Sequence, residues 1–274
     1  MAAVNQKVLP GFRLSLGYTV FYLSFLVLSP LAACFLKASS LSFHQFVEAV
    51  WTERAWAAYL LSFSVSVISA GCNLVLGLLV AWVLVRYEFP LKRIFDALVD
   101  LPLALPTAVA GLVYSSLYVP NGWLGRFLVP MGVEGAYSRL GIVLVLTFTG
   151  CPFVVRTVQP VLESLDVEIE EAAATLGATR WQTFLRVLLP PIFPALLTGF
   201  ALALARSLGE YGSVVFVSGN MPFKTEIAPV LIVARLEEFA YTEATAIAVV
   251  LLVFSFILLA AINFLQSWSK TFAS

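Results

Sequence analysis

The fold class is decided by residues 60–85, which read LLSFSVSVISAGCNLVLGLLVAWVLV. All 26 residues of this run are uncharged. The hydrocarbon core of a bilayer is about 30 Å thick, and a helix needs about 20 apolar residues to cross it. The run is therefore long enough for a transmembrane helix and too apolar for the surface of a water-soluble domain.

Five more apolar runs predict further spans on either side of this one. They are residues 14–36, 101–119, 140–155, 192–217 and 244–265. Over the whole chain of 274 residues, 61% are hydrophobic, only 12% are charged, and the mean hydropathy is +0.95. We predict an all-α integral membrane protein with six transmembrane helices in a single domain, residues 14–265.

The composition also excludes several classes of function. Lys plus Arg and Asp plus Glu number 16 each, so the chain lacks the basic surface of a nucleic-acid binder. One histidine and three scattered cysteines do not form a usual zinc site. No lysine follows a glycine, as the phosphate-binding loop of a P-loop ATPase requires. The chain is therefore not itself such an ATPase.

The distribution of basic residues gives a weak orientation. Six spans place both termini on one side, and we predict a multi-pass membrane protein with both termini in the cytoplasm. On that assumption nine basic residues are cytoplasmic: Lys7, Arg13, Arg86, Lys92, Arg93, Arg156, Arg180, Arg186 and Lys270. Six lie outside: Lys37, Arg54, Arg126, Arg139, Lys224 and Arg235. The excess of basic residues on the cytoplasmic side agrees with the positive-inside rule, but it is small.

The stretch between the fourth and fifth spans, residues 159–190, is too polar for lipid and is patterned for two short helices. Asp166 can cap the first helix, and Gly177 can end it in a left-handed conformation. Thr179 can cap the second helix, which we expect to stop at the proline pair that begins with Pro190. On composition alone we favour an amphipathic connector that lies on its own bundle.

Two of the predicted spans contain residues that interrupt helices. Pro102 and Pro106 should break or kink the start of the third span, and Gly209 and Gly212 lower helicity in the fifth. A break in a transmembrane helix can turn backbone amides toward an oxyanion. The alternative is a kink that only shapes the bundle.

The fifth span also carries two charges, Arg206 and Glu210, four residues apart and hence on one helical face. One charge at the bilayer centre costs about 2.5 to 3.5 kcal/mol on insertion scales, so we expect the two to pair. Two interpretations stay open: the pair locks the span to a neighbour, or Arg206 attracts an anion that Glu210 keeps from binding too tightly. The candidates for a translocation path are Arg206, Glu210, Thr107, Ser213 and Asn220.

The loop resembles the EAA loop of ABC importer permeases. The resemblance rests on Glu171-Ala172-Ala173, on Gly177 and, after nine intervening residues, on Val187-x-Leu189-Pro190, with Val where the pattern usually has Ile. LPLALPTAVAGL at 101–112, GEYG at 209–212 and GN at 219–220 are similar to the sulfate and molybdate permease group. Residues 235–241 and 262–266 resemble the T-type permease subunits of bacterial sulfate/thiosulfate importers. The resemblance covers nearly the whole chain.

This resemblance implies a type I ABC importer permease fold, in which the EAA loop is a cytoplasmic coupling helix seated on an ATPase. The residues that it places in ATPase coupling are Glu171, Ala172, Ala173, Gly177, Ala178 and Arg180. The partners that it implies are a homologous W-type permease subunit, two copies of an ABC ATPase and a periplasmic sulfate/thiosulfate-binding protein. ATP and Mg²⁺ would bind the ATPase, with no cofactor in this chain.

The function implied is import of sulfate or thiosulfate by alternating access. A molybdate or tungstate permease is the near alternative, because it shares the glycine-rich motifs. An ion-coupled secondary transporter with Glu210 as its proton site is a more distant alternative that leaves the EAA loop unexplained. A membrane enzyme ranks last, since the sequence offers no metal or nucleophile constellation.

Overall fold

The structure is a computed structural model that describes residues 11–272, except for the side chains of Arg13 and residues 265–272. Lys7 and the side chains of Arg13 and Lys270, which entered the charge count, lie outside this description. Every regular element within 11–272 is helical, which confirms the all-α prediction.

The first eight α-helices are α1 Phe12–Leu23, α2 Ser29–Ala38, α3 Phe43–Val50, α4 Glu53–Arg86, α5 Lys92–Val99, α6 Leu101–Ala104, α7 Thr107–Tyr118 and α8 Gly125–Leu128. The others are α9 Arg139–Ser164, α10 Val167–Thr175, α11 Arg180–Thr183, α12 Leu189–Leu208, α13 Val214–Val217, α14 Ala228–Glu237 and α15 Tyr241–Phe272. Two π-helical segments, Ser24–Leu28 and Phe184–Leu188, join α1 to α2 and α11 to α12, and a 3₁₀ turn covers Val129–Met131.

Within residues 11–272, five continuous helical segments are long and apolar enough to cross a membrane. They are Leu14–Ala38, Glu53–Arg86, Arg139–Ser164, Arg180–Leu208 and Tyr241–Phe264. Five of the six predicted spans therefore have a helix of spanning length. The fourth predicted span corresponds to α9, which is longer than the uncharged run 140–155 because the helix continues past Arg156 to Ser164.

The third predicted span does not form one spanning helix. Leu105 and Pro106 are extended, with ψ of 135° and 128°, and they separate α6 from α7. At 1.5 Å per residue the 12 residues of α7 measure about 18 Å, well short of a bilayer core. The predicted break is confirmed at Pro106, which separates this run into two helical pieces, whereas Pro102 lies in the first turn of α6 and does not interrupt it.

The fifth predicted span differs at both ends. The helix does not stop at Pro190, because the π-helical segment before α12 widens the hydrogen-bond ladder where the proline has no N–H to donate. At its other end α12 stops at Leu208, and the chain runs without helix through residues 209–213 before α13. The interruption predicted from Gly209 and Gly212 is confirmed.

The core lies where α4, α9 and α12 pack against one another. Val154, Val155, Val158, Ile192 and Leu204 are fully buried there. Small residues allow the close approach: a side chain added at position 77 or 199 would overlap residue 154, and one at 150 would overlap residue 73.

We call the end of the bundle that carries residues 165–180 the elbow end, and the opposite end the far end. Helix α4 begins at the far end with Glu53 and reaches the elbow end at Arg86. At the far end α3, α4, α14 and α15 share a second buried cluster. Helix α2 packs on α15, where Cys34 Sγ lies 4.0 Å from the carbonyl oxygen of Thr245, and most residues of the segment 14–38 are exposed.

Candidate coupling elbow and translocation site

We call residues 165–184 the elbow: it consists of α10, a tight reversal and α11. Gly177 has φ of +83°, the left-handed conformation predicted for it. The N–H of Ala178 donates to the carbonyl of Ala173, and the N–H of Gly177 donates to that of Ala174, both at 3.0 Å. This pair of bonds is the Schellman motif, which ends a helix and fixes the direction of the next segment.

The two helix starts of the elbow are built differently. Thr179 Oγ1 accepts from the backbone N–H of Gln182 at 3.3 Å, and Gln182 Oε1 accepts from the N–H of Thr179 at 2.8 Å. The cap predicted at Thr179 is therefore present as a reciprocal capping box. Asp166 occupies the N-cap position of α10, but its side chain makes no capping hydrogen bond, which corrects that part of the prediction.

The residues that the EAA resemblance singles out form the outer surface of the elbow. Glu171, Ala172, Gly177 and Arg180 are exposed, and Ala173 and Ala178 are half-buried. Between them project two large apolar side chains that sequence reasoning missed, Leu176, 89% exposed, and Trp181, 68% exposed. An apolar residue at a tight reversal was the available signal, because such positions are usually polar.

Arg86, at the end of α4, contacts the start of the elbow. Arg86 Nη2 lies 2.9 Å from Glu170 Oε1 and donates to the carbonyl oxygen of Leu165 at 3.2 Å. The Arg86 guanidinium also sits 5.9 Å from the centre of the Trp82 ring. Sequence reasoning did not find this link, which joins residues 84 positions apart.

The predicted intramembrane pair is present at the break after α12. Arg206 Nη1 pairs with Glu210 Oε2, and the other carboxylate oxygen accepts from the N–H and the hydroxyl of Ser213, both at 2.9 Å. The Glu210 side chain is 2% exposed, whereas that of Arg206 is 33% exposed. The carboxylate is thus fully enclosed and satisfied, while the guanidinium keeps one accessible side.

The two interrupted spans meet at this site. A side chain at position 111 of α7 would overlap the backbone of Ser213, and one at position 212 would overlap Thr107 Oγ1. The start of α7 therefore lies directly against residues 209–213. Four of the five path candidates, Thr107, Arg206, Glu210 and Ser213, are brought together here.

Asn220 has a separate role in the structure. Its Nδ2 donates to the carbonyl of Val215 at 2.9 Å, and its Oδ1 accepts from the hydroxyl of Ser218 at 2.7 Å. These bonds close the end of α13 around a residue whose own φ is +51°. The Asn220 side chain bonds within this turn, whereas the partners of Glu210 are Arg206 and Ser213.

A buried polar seam on α4 also escaped the sequence analysis. Ser62, Ser66, Ser69 and Asn73 are almost fully buried and lie at the four-and-three spacing of one helical face. The Ser69 and Ser207 hydroxyls lie 3.2 Å apart, so the seam reaches the residue next to Arg206. The spacing was visible in the sequence, but small polar residues are common at packed transmembrane interfaces and gave no distinct signal.

Arg156 of α9 binds two carboxylates just before the third predicted span. It donates to both carboxylate oxygens of Asp100, at 2.9 and 2.7 Å, and to Asp96 Oδ1 at 2.6 Å. The hydrogen bonds from Arg156 hold the pKa of Asp100 below its ordinary value. The ion pair therefore persists at neutral pH and weakens only as Asp100 becomes protonated in acid.

Among the residues that the structure describes, no cluster of His, Cys, Asp and Glu side chains is fit to hold a metal.

Comparison with known proteins gives one family. Residues 73–270 match the family described as binding-protein-dependent transport system inner membrane component. The chain is 48% identical over 266 residues to the sulfate transport system permease protein CysT of Escherichia coli strain K12, covering 97% of this chain and 96% of that protein. It is 50% identical over 256 residues to the CysT protein of Synechocystis, covering 93% and 90%.

Solved structures share the fold at lower identity. A chain of a bacterial ABC transporter involved in the import of the acidic polysaccharide alginate superposes with a TM-score of 0.77 at 17% identity, covering 93% of this chain and 94% of that one. The inward-facing MetNI methionine ABC transporter gives 0.55 at 20% identity, covering 85% and 100%.

Proposed function

The chain belongs to the family of binding-protein-dependent transport system inner membrane components, and on this premise we propose that it is the permease subunit of an ATP-driven importer of sulfate or thiosulfate. Its fold is that of the type I ABC importer permeases, and it crosses the inner membrane several times. The proposed substrate rests on the sequence identity of 48–50%, over nearly the full length, to permeases named for sulfate transport. Such a subunit is not itself a catalyst.

In this proposal the elbow faces the cytoplasm and docks on an ATPase subunit. The exposed Glu171, Arg180, Leu176 and Trp181 present charged and apolar groups together, which is typical of a protein interface and unlike a helix that lies on its own bundle. ATP and Mg²⁺ then act on two ATPase copies. A homologous W-type permease and a periplasmic sulfate/thiosulfate-binding protein complete the assembly.

The transport step is a change of access driven by the elbow. Closure of the ATPases on ATP moves α10 and α11, whose mutual angle is fixed by the Schellman motif and the capping box. The motion reaches α12 through the continuous helix from residue 180 to 208. At its end the accessible side of Arg206 attracts the divalent anion, and the enclosed Glu210 keeps that attraction weak enough for release.

The orientation gives a direct prediction. A cysteine at position 178, in a background from which Cys34, Cys72 and Cys151 are removed, should react with a membrane-impermeant maleimide only when the cytoplasmic face is open. A cysteine at Ser40, in the loop between α2 and α3, should show the opposite accessibility. Labelling of position 178 from outside intact cells would reverse the topology.

Gly177→Val should uncouple ATP hydrolysis from uptake. A β-branched residue is strained at φ of +83°, so the reversal between α10 and α11 should lose its fixed angle at a cost of about 1 to 3 kcal/mol. Space is not the cause, because no atom of the described residues lies within 4 Å of a Cβ added there. Gly177→Asn, which tolerates this conformation better, is the matched control. Uptake per ATP in proteoliposomes is the measurement, and normal coupling in the valine variant would contradict the role of the elbow.

The substrate is tested by growth and uptake. Deletion of the chain should abolish growth on sulfate as the sole sulfur source and leave molybdate-dependent enzymes active, whereas the reverse pattern would indicate a molybdate permease. Uptake that continues when the partner ATPase is inactivated would instead indicate an ion-coupled carrier.

A further inference from the structure

We propose that Arg86 is a positioning residue that makes α4 move together with the elbow, so that α4 is a second route by which ATP-driven motion enters the bundle. The inference rests on the proposed coupling function of the elbow. It adds to the direct route through α12, which shares a continuous helix with α11.

The first support is that α10 has little else to hold it against α4. No residue of α10 is buried, so it is not anchored by a core of its own. The Arg86 side chain is 13% exposed and that of Glu170 is 26% exposed, so their contact at 2.9 Å is shielded from water on most sides. This contact is an ion pair without a hydrogen bond to Glu170 Oε1, and together with the hydrogen bond to the Leu165 carbonyl it links Arg86 to both the start and the first turn of α10.

The second support is that the same turn of α4 also contacts the other half of the elbow. Trp82 packs edge-on against Phe184, with ring centres 5.8 Å apart, and Phe184 stacks on Trp181 at the same distance. Because Arg86 lies over the Trp82 ring, one cluster joins the end of α4 to both α10 and the segment after α11. A shift of the elbow therefore carries the end of α4 with it.

The third support is the form of α4. Its 34 residues make an unbroken rod about 51 Å long with no proline inside it. At the far end Arg54 donates to both carboxylate oxygens of Glu226, at 2.8 and 2.7 Å, and Glu226 is 3% exposed. Midway, Ser69 contacts Ser207 beside the Arg206–Glu210 pair. The rod thus connects the elbow to the site and to the far end.

The test compares charge variants in the complete transporter, reconstituted with its ATPase, partner permease and binding protein. Arg86→Glu and Glu170→Arg should each lower the sulfate imported per ATP hydrolysed by about fivefold or more, the lower range of ordinary coupling. The double variant Arg86→Glu/Glu170→Arg should recover most of this ratio, and Arg86→Lys should retain part of it. A role limited to folding would change the yield of complex and not the ratio.

Two controls make the same kind of change away from the link. Lys92→Glu breaks the pair with Glu88 at 2.7 Å, an exposed ion pair at the same end of the bundle, and should leave the ratio unchanged. Glu168→Arg introduces the same charge into the first turn of α10, where Glu168 is exposed, and should have little effect.

An unchanged ratio in both single variants would overturn the inference, and so would a loss that neither the double variant nor Arg86→Lys relieves. If Gly177→Val still uncouples in that case, the proposed function stands and only the role of Arg86 falls. If the unaltered complex fails to import sulfate with ATP, the proposed function itself fails.

Discussion

Replacing Gly111 by alanine is expected to destabilise the chain by about 1 to 3 kcal/mol and to abolish most transport. Helix propensity predicts the opposite sign, since alanine is favoured over glycine inside a helix by about 1 kcal/mol. The contact decides the outcome. An added Cβ would lie 2.9 Å from the carbonyl carbon of Ser213 and closer to its oxygen, so α7 and residues 209–213 must separate.

The neighbouring and distant glycines supply graded controls for this prediction. At Gly212 an added Cβ meets the Thr107 side chain, which can rotate, so Gly212→Ala should be milder than Gly111→Ala. At Gly71 an added Cβ meets no atom within 4 Å in the part of the chain that the structure describes, and Gly71→Ala should leave transport intact. The measurement is the thermal midpoint of the detergent-solubilised complex together with uptake. Equal stability of the Gly111 and Gly71 variants would show that the two interrupted spans do not touch as described.

The spans and their interruptions were predictable because each depends on local chemistry. An uncharged run of 26 residues has few stable states other than a spanning helix, and Pro106 must disturb any helix that includes it. Gly177 at the reversal of the elbow follows the same logic, since few other residues adopt its φ without strain. These features could be placed to within a few residues from the sequence.

The ends and cross-links of the helices were not predictable in this way. The helix through Pro190 continues because a π-helical segment precedes it, and nothing in the local sequence distinguishes that outcome from a stop. Arg54 meets Glu226 across 172 positions, and Arg86 meets Glu170 across 84. The chain has many carboxylates, so these partners are chosen by the packing of helices that are distant in sequence.

The Arg206–Glu210 pair was predictable from its spacing, but the unequal burial of its two side chains was not. Because of this unequal burial, we expect the loss of Arg206 and the loss of Glu210 to differ strongly in their effect on the yield of folded complex. Arg206→Ala leaves a carboxylate that is 2% exposed without its cation, and breaking a buried pair in this way costs about 3 to 5 kcal/mol. Glu210→Gln leaves a guanidinium that is one-third exposed and can be solvated, and the amide oxygen can still accept from Ser213. Arg206→Ala should therefore reduce the yield of folded complex far more than Glu210→Gln.

The double variant Arg206→Ala/Glu210→Gln separates the two interpretations of the pair. Removing both charges removes the unpaired carboxylate, so the yield of complex should return toward that of the unaltered protein. If Arg206 also attracts the anion, sulfate uptake per assembled complex should stay low in the double variant, because the cation beside the break is still missing. Full recovery of uptake would show that the pair only stabilises the packing of the helices. Equal yields in Arg206→Ala and the double variant would argue that the two side chains do not stabilise each other, since the stranded carboxylate is the only reason to expect a difference.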